Sequence, residues 1–587
     1  MKWNGRTRCA LVCVLFIAIF SVFSFRLVYL QMVEHDYYAA IAAGKDGATQ
    51  TIFAERGAIY DAHNEILAQN VPVENVIADC SLMNDREALA PILAKTLKIP
   101  SAEIADKIAG DSRYIILKKA LPEAVAVSLG KKLSAAKLRG IRFERDFVRR
   151  YPNGSMLCHV VGFSNAEHQG VEGVEASMDQ YLRGENGFRH IERDRTGREL
   201  VLYRGAERPP RNGYDVHLTI DLNLQMIVEN ELDAAMREYT PQKATIILMR
   251  PQTGEILAMA NRPNFDPNKI TGTNPEHLKN RAITDMMEPG STFKIVTVSA
   301  ALNEHKVRLD TPIFCENGPW LFGGRYLHDH RYFGEIPVQD VLVKSSNIGA
   351  AKIALMLGDE KFYEYIRSYG FGDRTGIELP GEIGGLIHPP QAWSKISITR
   401  MPMGHEVGVT PLQMIMAMAT IANGGELVAP RIVKSVVDND SGKVICDLKP
   451  TVVRRVVSRE AAAQVALALR GVVSQRGTAV GAAVPGFTVS GKTGTAQKPD
   501  PHGGYEKGKE IVSFSGFLPS ENPAFVGLVV LDDAHVKSEE ENYGGKIAGP
   551  IFAHVAEKAA RYLDLEPHEE IGKQIASGRV ALTNAHR

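Results

Sequence analysis

From Cys9 to Phe25 the chain runs for 17 residues without a charge (CALVCVLFIAIFSVFSF). Arg26 interrupts the run, but its stem is long enough to reach an interface, and Leu27-Val28-Tyr29-Leu30 extends the apolar stretch to the length of a bilayer crossing. The expectation is a single transmembrane helix over 9–30, preceded by a short tail, 1–8. Lys2, Arg6 and Arg8 lie in that tail, so the positive-inside rule holds it in the cytoplasm and sends everything after about residue 31 outside. A cleaved signal peptide is the competing reading. Its small-residue cleavage site, Ala39–Ala43, would sit about 15 residues past an apolar core that is itself long for such a peptide. A buried soluble helix would have to bury Arg26.

The chain has 587 residues, room for about two to four domains and a large core. Its 68 Lys+Arg balance 68 Asp+Glu, which argues against nucleic-acid binding through bulk charge. With 23% charged and 7% aromatic residues and no long polar tract, it reads as globular. The six cysteines include no CxxC pair, so neither a zinc ribbon nor thioredoxin-type chemistry is indicated. Cys80, Cys158, Cys315 and Cys446 are too scattered for any disulfide to be assigned.

Residues 45–210 are rich in Arg and Glu, with a strand-like piece at 71–77 and a helix-like piece at 123–133. Turn-rich 204–213 reads as a linker. Beyond it, 215–220 alternates as a strand and 222–236 has helical periodicity. Two hairpins follow, far apart: 244–249 with 255–260, and 512–518 with 525–531. Helical runs at 293–303, 338–356 and 411–423 lie between them, 551–563 is a last amphipathic helix, and the tail 566–587 is polar. Strands at both ends of a helical region imply one sheet closed by its own termini and flanked by helices.

Within that region Ser291-Thr-Phe-Lys294 places a hydroxyl and an amine on one face of a helix that Pro289-Gly290 would open. A serine is a weak nucleophile until a base takes its proton, and a neutral lysine at hydrogen-bond distance is such a base. The spacing alone is weak, since Ser128/Lys131 and Ser134/Lys137 repeat it in a Lys-rich helical stretch without a glycine elbow, where a solvated face is the natural reading. Ser345-Ser346-Asn347 follows 54 residues after Ser291 and offers a second hydroxyl and a carboxamide. Ser520-Glu521-Asn522 matches the same pattern inside an ordinary turn. Lys492-Thr493-Gly494-Thr495 follows a β-rich stretch, and its cation and hydroxyls suit a carboxylate. His405 reads as a packed or cleft-rim histidine, and no cluster has metal-ligand spacing.

Taken in order, S-x-x-K, S-x-N and K-T-G resemble the signature set of the penicillin-binding protein and serine β-lactamase superfamily. The flanking Glu288-Pro-Gly-Ser-Thr-Phe-Lys294, Lys344-Ser-Ser-Asn347, Gly408-Val-Thr-Pro-Leu-Gln413 and Gly491-Lys-Thr-Gly-Thr-Ala-Gln497 look like class B penicillin-binding proteins. Upstream, Glu55-Arg-Gly57, Asp61, Tyr151-Pro-Asn-Gly154 and Gly170-Val-Glu-Gly-Val-Glu175 resemble that class's non-catalytic pedestal, with Arg56, Glu172 and Glu175 expected to make interdomain ion pairs and hydrogen bonds. The resemblance implies an α+β fold: the membrane helix, a pedestal over 45–210 and a transpeptidase domain over 211–565 with an antiparallel sheet flanked by helices.

It also implies peptidoglycan D,D-transpeptidation through a serine acyl-enzyme, without a cofactor or metal and open to inhibition by β-lactams. Ser291 would attack the donor D-Ala–D-Ala amide, Lys294 would take its proton, Ser345 would relay a proton to the leaving D-Ala, and Asn347 would hold substrate and Lys294. Lys492, Thr493 and Thr495 would bind the carboxylate, Gly494 would leave room for the peptide backbone, and the N–H groups of Ser291 and Thr495 would form the oxyanion hole. Burial, the helix N-terminus and a second cation at Lys492 are expected to drive Lys294 toward neutrality. The motif context looks more like division-specific than elongation enzymes, with the membrane helix docking to a polytopic glycosyltransferase and other division proteins at the bacterial inner membrane. An elongation-type enzyme, and a silent β-lactam sensor or division scaffold of the same fold, are the alternatives. The acceptor amine (diaminopimelate or lysine) and the oligomeric state are left open.

Overall fold

The computed structural model describes residues 5–38, 47–192, 207–500, 504–536 and 542–567. Expectations for Lys2, for the alanines of 39–43, for the start of the linker and for the tail at 568–587 lie outside the described residues.

Helix α1 (Gly5–Met32) contains the apolar run. Its predominantly apolar part, Cys9–Met32, has 24 residues and so spans about 36 Å, more than the roughly 30 Å hydrocarbon core of a bilayer. Phe16, Phe20 and Phe25 are each at least 68% exposed, so the protein itself does not cover this apolar helix. Arg26 reaches toward the helix end, 5.4 Å over the Tyr29 ring and 3.9 Å from Glu34.

The chain forms two compact units. The smaller comprises Met1–Glu55, Val71–Val148 and Gly184–Asn212. Its core is made where the helices Arg86–Leu97, Ser101–Lys107 and Glu123–Ala135 bring Leu89, Leu93, Ile104, Leu129 and Leu133 against Leu117 and Leu121 of the strand Ile115–Pro122. Ser128, Lys131, Ser134 and Lys137 are exposed there, the solvated helix face read from the sequence.

The larger unit comprises Arg56–Asn70, Arg149–Arg183 and Gly213–Arg587. Helix α2 (Leu222–Tyr239) precedes a five-stranded antiparallel sheet of β1 (Lys243–Met249), β2 (Ile256–Arg262), β3 (Ser490–Pro499), β4 (Tyr505–Leu518) and β5 (Phe525–Asp532). Its strand order is β2-β1-β5-β4-β3, so the two hairpins meet through β1 and β5, and β3 lies at the end. Between β2 and β3 come α3 (Lys294–Asn303), α4 (Val338–Val343), α5 (Asn347–Leu357), α6 (Pro411–Ala422) and α7 (Arg459–Val473); α8 (Ala548–Tyr562) follows β5. Helices α2 and α8, packed on each other, cover one face of the sheet, and α6, packed on α7, covers the other. Both faces of β2 and β5 are therefore buried, which is why these strands read as apolar runs without alternation.

Two readings change. The run expected as one helix over 338–356 is split into α4 and α5 by Lys344–Ser346, with Ser345 at φ +58°. Arg56 and Glu175 do not pair between units, because both belong to the larger one. Arg56 Nε lies 2.6 Å from one oxygen of Glu175, Arg149 Nε 2.6 Å from the other, and Arg56 Nη1 2.6 Å from Asp179. Among the described residues Glu172 makes no ion pair; its backbone pairs with Phe163.

The Glu175 carboxylate is fully buried between two guanidiniums. Removing it leaves buried Arg149 without a carboxylate and Arg56 with Asp179 alone, so Glu175→Ala is expected to destabilise the larger unit by about 3–5 kcal/mol. Denaturant unfolding checks this, and a loss below about 1 kcal/mol would show that water replaces the carboxylate.

Candidate active site

The chain enters α3 through a 3₁₀ turn, Gly290–Phe293. Gly290 has φ +58°, and a Cβ on it would lie 2.8 Å from Thr495 O and 3.3 Å from Thr495 N. Only glycine lets this turn lie against β3, and the contact sets Ser291 beside Thr495. From Lys294 to Leu302 every residue of α3 is buried, so the amine three residues after Ser291 is withdrawn from the surface.

Lys294 Nζ is held instead by protein oxygens: Ser345 O at 2.7 Å, Asn347 Oδ1 at 2.7 Å, Ser291 Oγ at 3.0 Å and Ser345 Oγ at 3.1 Å. The two shortest contacts are to a carbonyl and an amide oxygen, which only accept. They take two of the amine's N–H groups, and the Ser291 hydroxyl lies against its remaining side. Burial drives Lys294 down from the usual 10.5 to about 7, with the Asp329 carboxylate and the Cys315 sulfur opposing. That drop corresponds to about 5 kcal/mol of disfavoured charge.

The break between α4 and α5 serves this contact. Ser345 turns its carbonyl and hydroxyl to Lys294, and Ser346 caps α5 by accepting from Gly349 N at 2.9 Å. Asp329 receives Ser346 Oγ at 2.6 Å and Ile348 N at 3.2 Å, as well as Asn347 N. Asn347 Nδ2 donates to His328 O at 3.0 Å, so its Oδ1 is the atom left for Lys294. No spacing in the sequence singles out Asp329; it sits in the loop 328–334, in the order His-Asp-His that would sooner prompt a search for metal ligands.

On β3, Lys492 is fully buried and donates to Ser345 Oγ at 3.0 Å, so one hydroxyl lies between two amines. Thr493 Oγ1 meets Thr478 Oγ1 at 3.0 Å, and Thr495 Oγ1 accepts from Gly544 N at 3.2 Å. A Cβ on Gly494 would lie 2.4 Å from Ser513 Oγ and 2.8 Å from Pro289 O, so packing of the strand on the loop ahead of Ser291 demands glycine there. The expected tuning of Lys294 by Lys492 runs the other way. Lys492 is itself pushed well down, by burial first and then by the charge of Lys294, whereas burial is what lowers Lys294.

Other sequence candidates resolve as structure. His405 Nδ1 is 2.9 Å from Glu288 and 3.0 Å from Tyr505 OH, bracing the loop before Ser291. Thr410 and Gln413, within the Gly408–Gln413 motif, form a capping box on α6. Ser520 is engaged by Arg470 Nε at 2.8 Å and Ser490 Oγ at 2.6 Å.

Residues 244–557 match the family described as the penicillin binding protein transpeptidase domain, and 51–218 match the penicillin-binding protein dimerisation domain. The chain belongs to the penicillin-binding protein transpeptidase family. It is 32% identical over 577 residues to Stage V sporulation protein D of Bacillus subtilis, covering 96% of this chain and 87% of that one. It is also 32% identical over 567 residues to the peptidoglycan D,D-transpeptidase FtsI of Escherichia coli, covering 95% and 92%. Penicillin binding protein 3 from Mycobacterium tuberculosis, solved in complex with aztreonam, superimposes with a TM-score of 0.69 at 28% identity over 88% of this chain and 98% of that one. Like its relatives, this penicillin-binding protein is a serine transpeptidase.

If Lys492 is neutral where Lys294 titrates, Lys492→Ala leaves the acid limb of penicillin acylation near pH 7. It should still weaken carboxylate recognition, by about 10–100-fold. Acylation rates against pH and β-lactam concentration separate the two effects; an acid limb that rises in Lys492→Ala would mean that Lys492 carries charge in the resting enzyme.

Proposed function

We propose that the protein is a division-type peptidoglycan D,D-transpeptidase in which Ser291 forms the acyl-enzyme. The observation that carries this is the single amine, Lys294 Nζ, shared by Ser291, Ser345 and Asn347. Lys294 takes the Ser291 proton as the hydroxyl attacks the D-Ala–D-Ala amide. The tetrahedral oxyanion is received by the N–H groups of Ser291 and Thr495, each such donor being worth about 10²–10³ in rate. Ser345 Oγ, 3.1 Å from Lys294 and 3.0 Å from Lys492, passes a proton on to the departing D-Ala amine. The substrate carboxylate meets Lys492, Thr493 and Thr495; its charge favours protonation of Lys492, so binding is coupled to proton uptake. A stem-peptide amine then resolves the ester, and β-lactams acylate the same serine.

The α1 helix anchors the enzyme as a single-pass protein of the inner membrane, with its N-terminus inside and the catalytic unit outside. The motif context around Lys344–Asn347 supports division-type wall synthesis, with a membrane glycosyltransferase and division proteins as partners. Equal identity to Stage V sporulation protein D favours a second reading, wall synthesis during sporulation.

Fluorescent penicillin should label the wild type and Ser128→Ala, and Ser291→Ala should lose the label, because removing one member of a nucleophile–base unit costs about 10⁴–10⁶ in rate. Persistent labelling of Ser291→Ala would sink the assignment.

A further inference from the structure

The loop carrying Asp329 holds the second motif from outside. Its carboxylate accepts from the Ser346 hydroxyl at 2.6 Å and the Ile348 N–H at 3.2 Å, and also from the Asn347 N–H. The carbonyl of the preceding His328 takes the Asn347 amide at 3.0 Å. Both ends of Asn347 are thus fixed by two adjacent loop residues, and Asn347 Oδ1 is one of the two short contacts of Lys294. The same carboxylate caps α5, where it meets the positive end of the helix.

We infer that Asp329 is a positioning residue for acylation: it fixes the Ser345–Asn347 turn around Lys294 and supplies the counter-charge for the ammonium that forms when Ser291 gives up its proton. This rests on the reading of Ser291 and Lys294 given above. The groups facing Lys294 are Lys492 on β3, Cys315, and Asp329 with its neighbour His330. Burial holds Lys492 and His330 down toward their neutral forms and pushes the Cys315 thiol up toward its own. The carboxylate is therefore the charge that Lys294 feels at neutral pH among these groups. It raises the affinity of Lys294 for a proton, opposing burial, and so sets where the acid limb of the reaction falls.

The sign is definite. Asp329→Asn removes the charge but keeps an oxygen for the α5 N–H groups, and the new amide N–H can donate to Ser346 Oγ. Lys294 then loses its counter-charge and stays neutral to lower pH, so the acid limb moves down by about one pH unit. The plateau rate falls by about tenfold, because the base is weaker and its ammonium less stabilised. Asp329→Glu keeps the charge but displaces it, so the plateau falls while the limb stays in place.

The experiment measures second-order penicillin acylation of the full chain from acid to neutral pH, for wild type, Asp329→Asn and Asp329→Glu, with thermal unfolding as a check on folding. A limb that moves down in Asp329→Asn and stays in Asp329→Glu supports the inference. Equal loss of plateau rate in both with an unmoved limb leaves Asp329 as a helix cap only and overturns it. Should Asp329→Asn fail to fold, Asp329→Ser, whose hydroxyl still accepts from the helix, reads the same limb. Labelling that survives Ser291→Ala would count against the acyl-enzyme itself, whereas normal wild-type labelling with an unmoved limb counts only against Asp329.

Discussion

A lysine amine buried away from the surface is the constraint on which the rest of the active unit depends. Lys294 is completely buried, and hydrogen bonds to Ser345 O and Asn347 Oδ1 occupy the two N–H groups that a neutral amine owns. Charge there is disfavoured by about 5 kcal/mol, a cost borne by the fold whenever the site is protonated. The sign of this linkage is clear. Between about pH 7 and the ordinary 10.5 the unfolded chain binds a proton that the folded one refuses, so this group makes stability rise with pH across that window. A neutral base beside a serine is bought at that cost.

The surrounding elements are shaped to deliver acceptors to one nitrogen. Helix α3 supplies the amine from a wholly buried face. The chain then breaks between α4 and α5 at a residue with positive φ, an unfavourable conformation for serine, to turn a carbonyl and a hydroxyl toward it. Strand β3, packed on the Ser291 turn through Gly290 and Gly494, brings the second buried lysine to the opposite side of Ser345 Oγ. Two amines around one hydroxyl disfavour each other's charge, and Lys492 is lowered by Lys294 as well as by burial. Ser345 Oγ thus lies between the two buried amines, 3.1 Å from Lys294 and 3.0 Å from Lys492.

Much of this was legible in the sequence, for different physical reasons. The long apolar helix was plain because 17 residues run without a charge, a length near that of a bilayer crossing. The hairpins, α2 and α6 followed from periodicity and turn residues. Ser291, Lys294, Ser345, Asn347 and Lys492, singled out by resemblance to the S-x-x-K, S-x-N and K-T-G set and not by spacing that Ser128, Ser134 and Ser520 mimic, come together around Lys294 and Ser345. Asp329 was not, since its partners are backbone N–H groups and a hydroxyl, which leave no pattern of residue types. The split of 338–356 was also hidden, because Lys344-Ser345-Ser346 carries no proline or glycine to announce it. The ion cluster of Arg56, Arg149 and Glu175 was visible as charge, but the unit it belongs to depends on chain crossings that no local signal records.

The most direct test is to locate the hydrogens on Lys294. Neutron diffraction from deuterium-exchanged crystals, at a pD about 1.5 units above the point where Lys294 titrates, resolves the protonation state of its nitrogen. The predicted result is two deuterons on Nζ, directed at Ser345 O and Asn347 Oδ1, with the Ser291 deuteron pointing at the nitrogen. Three deuterons on Nζ, with Ser291 donating elsewhere, would contradict a neutral resting base.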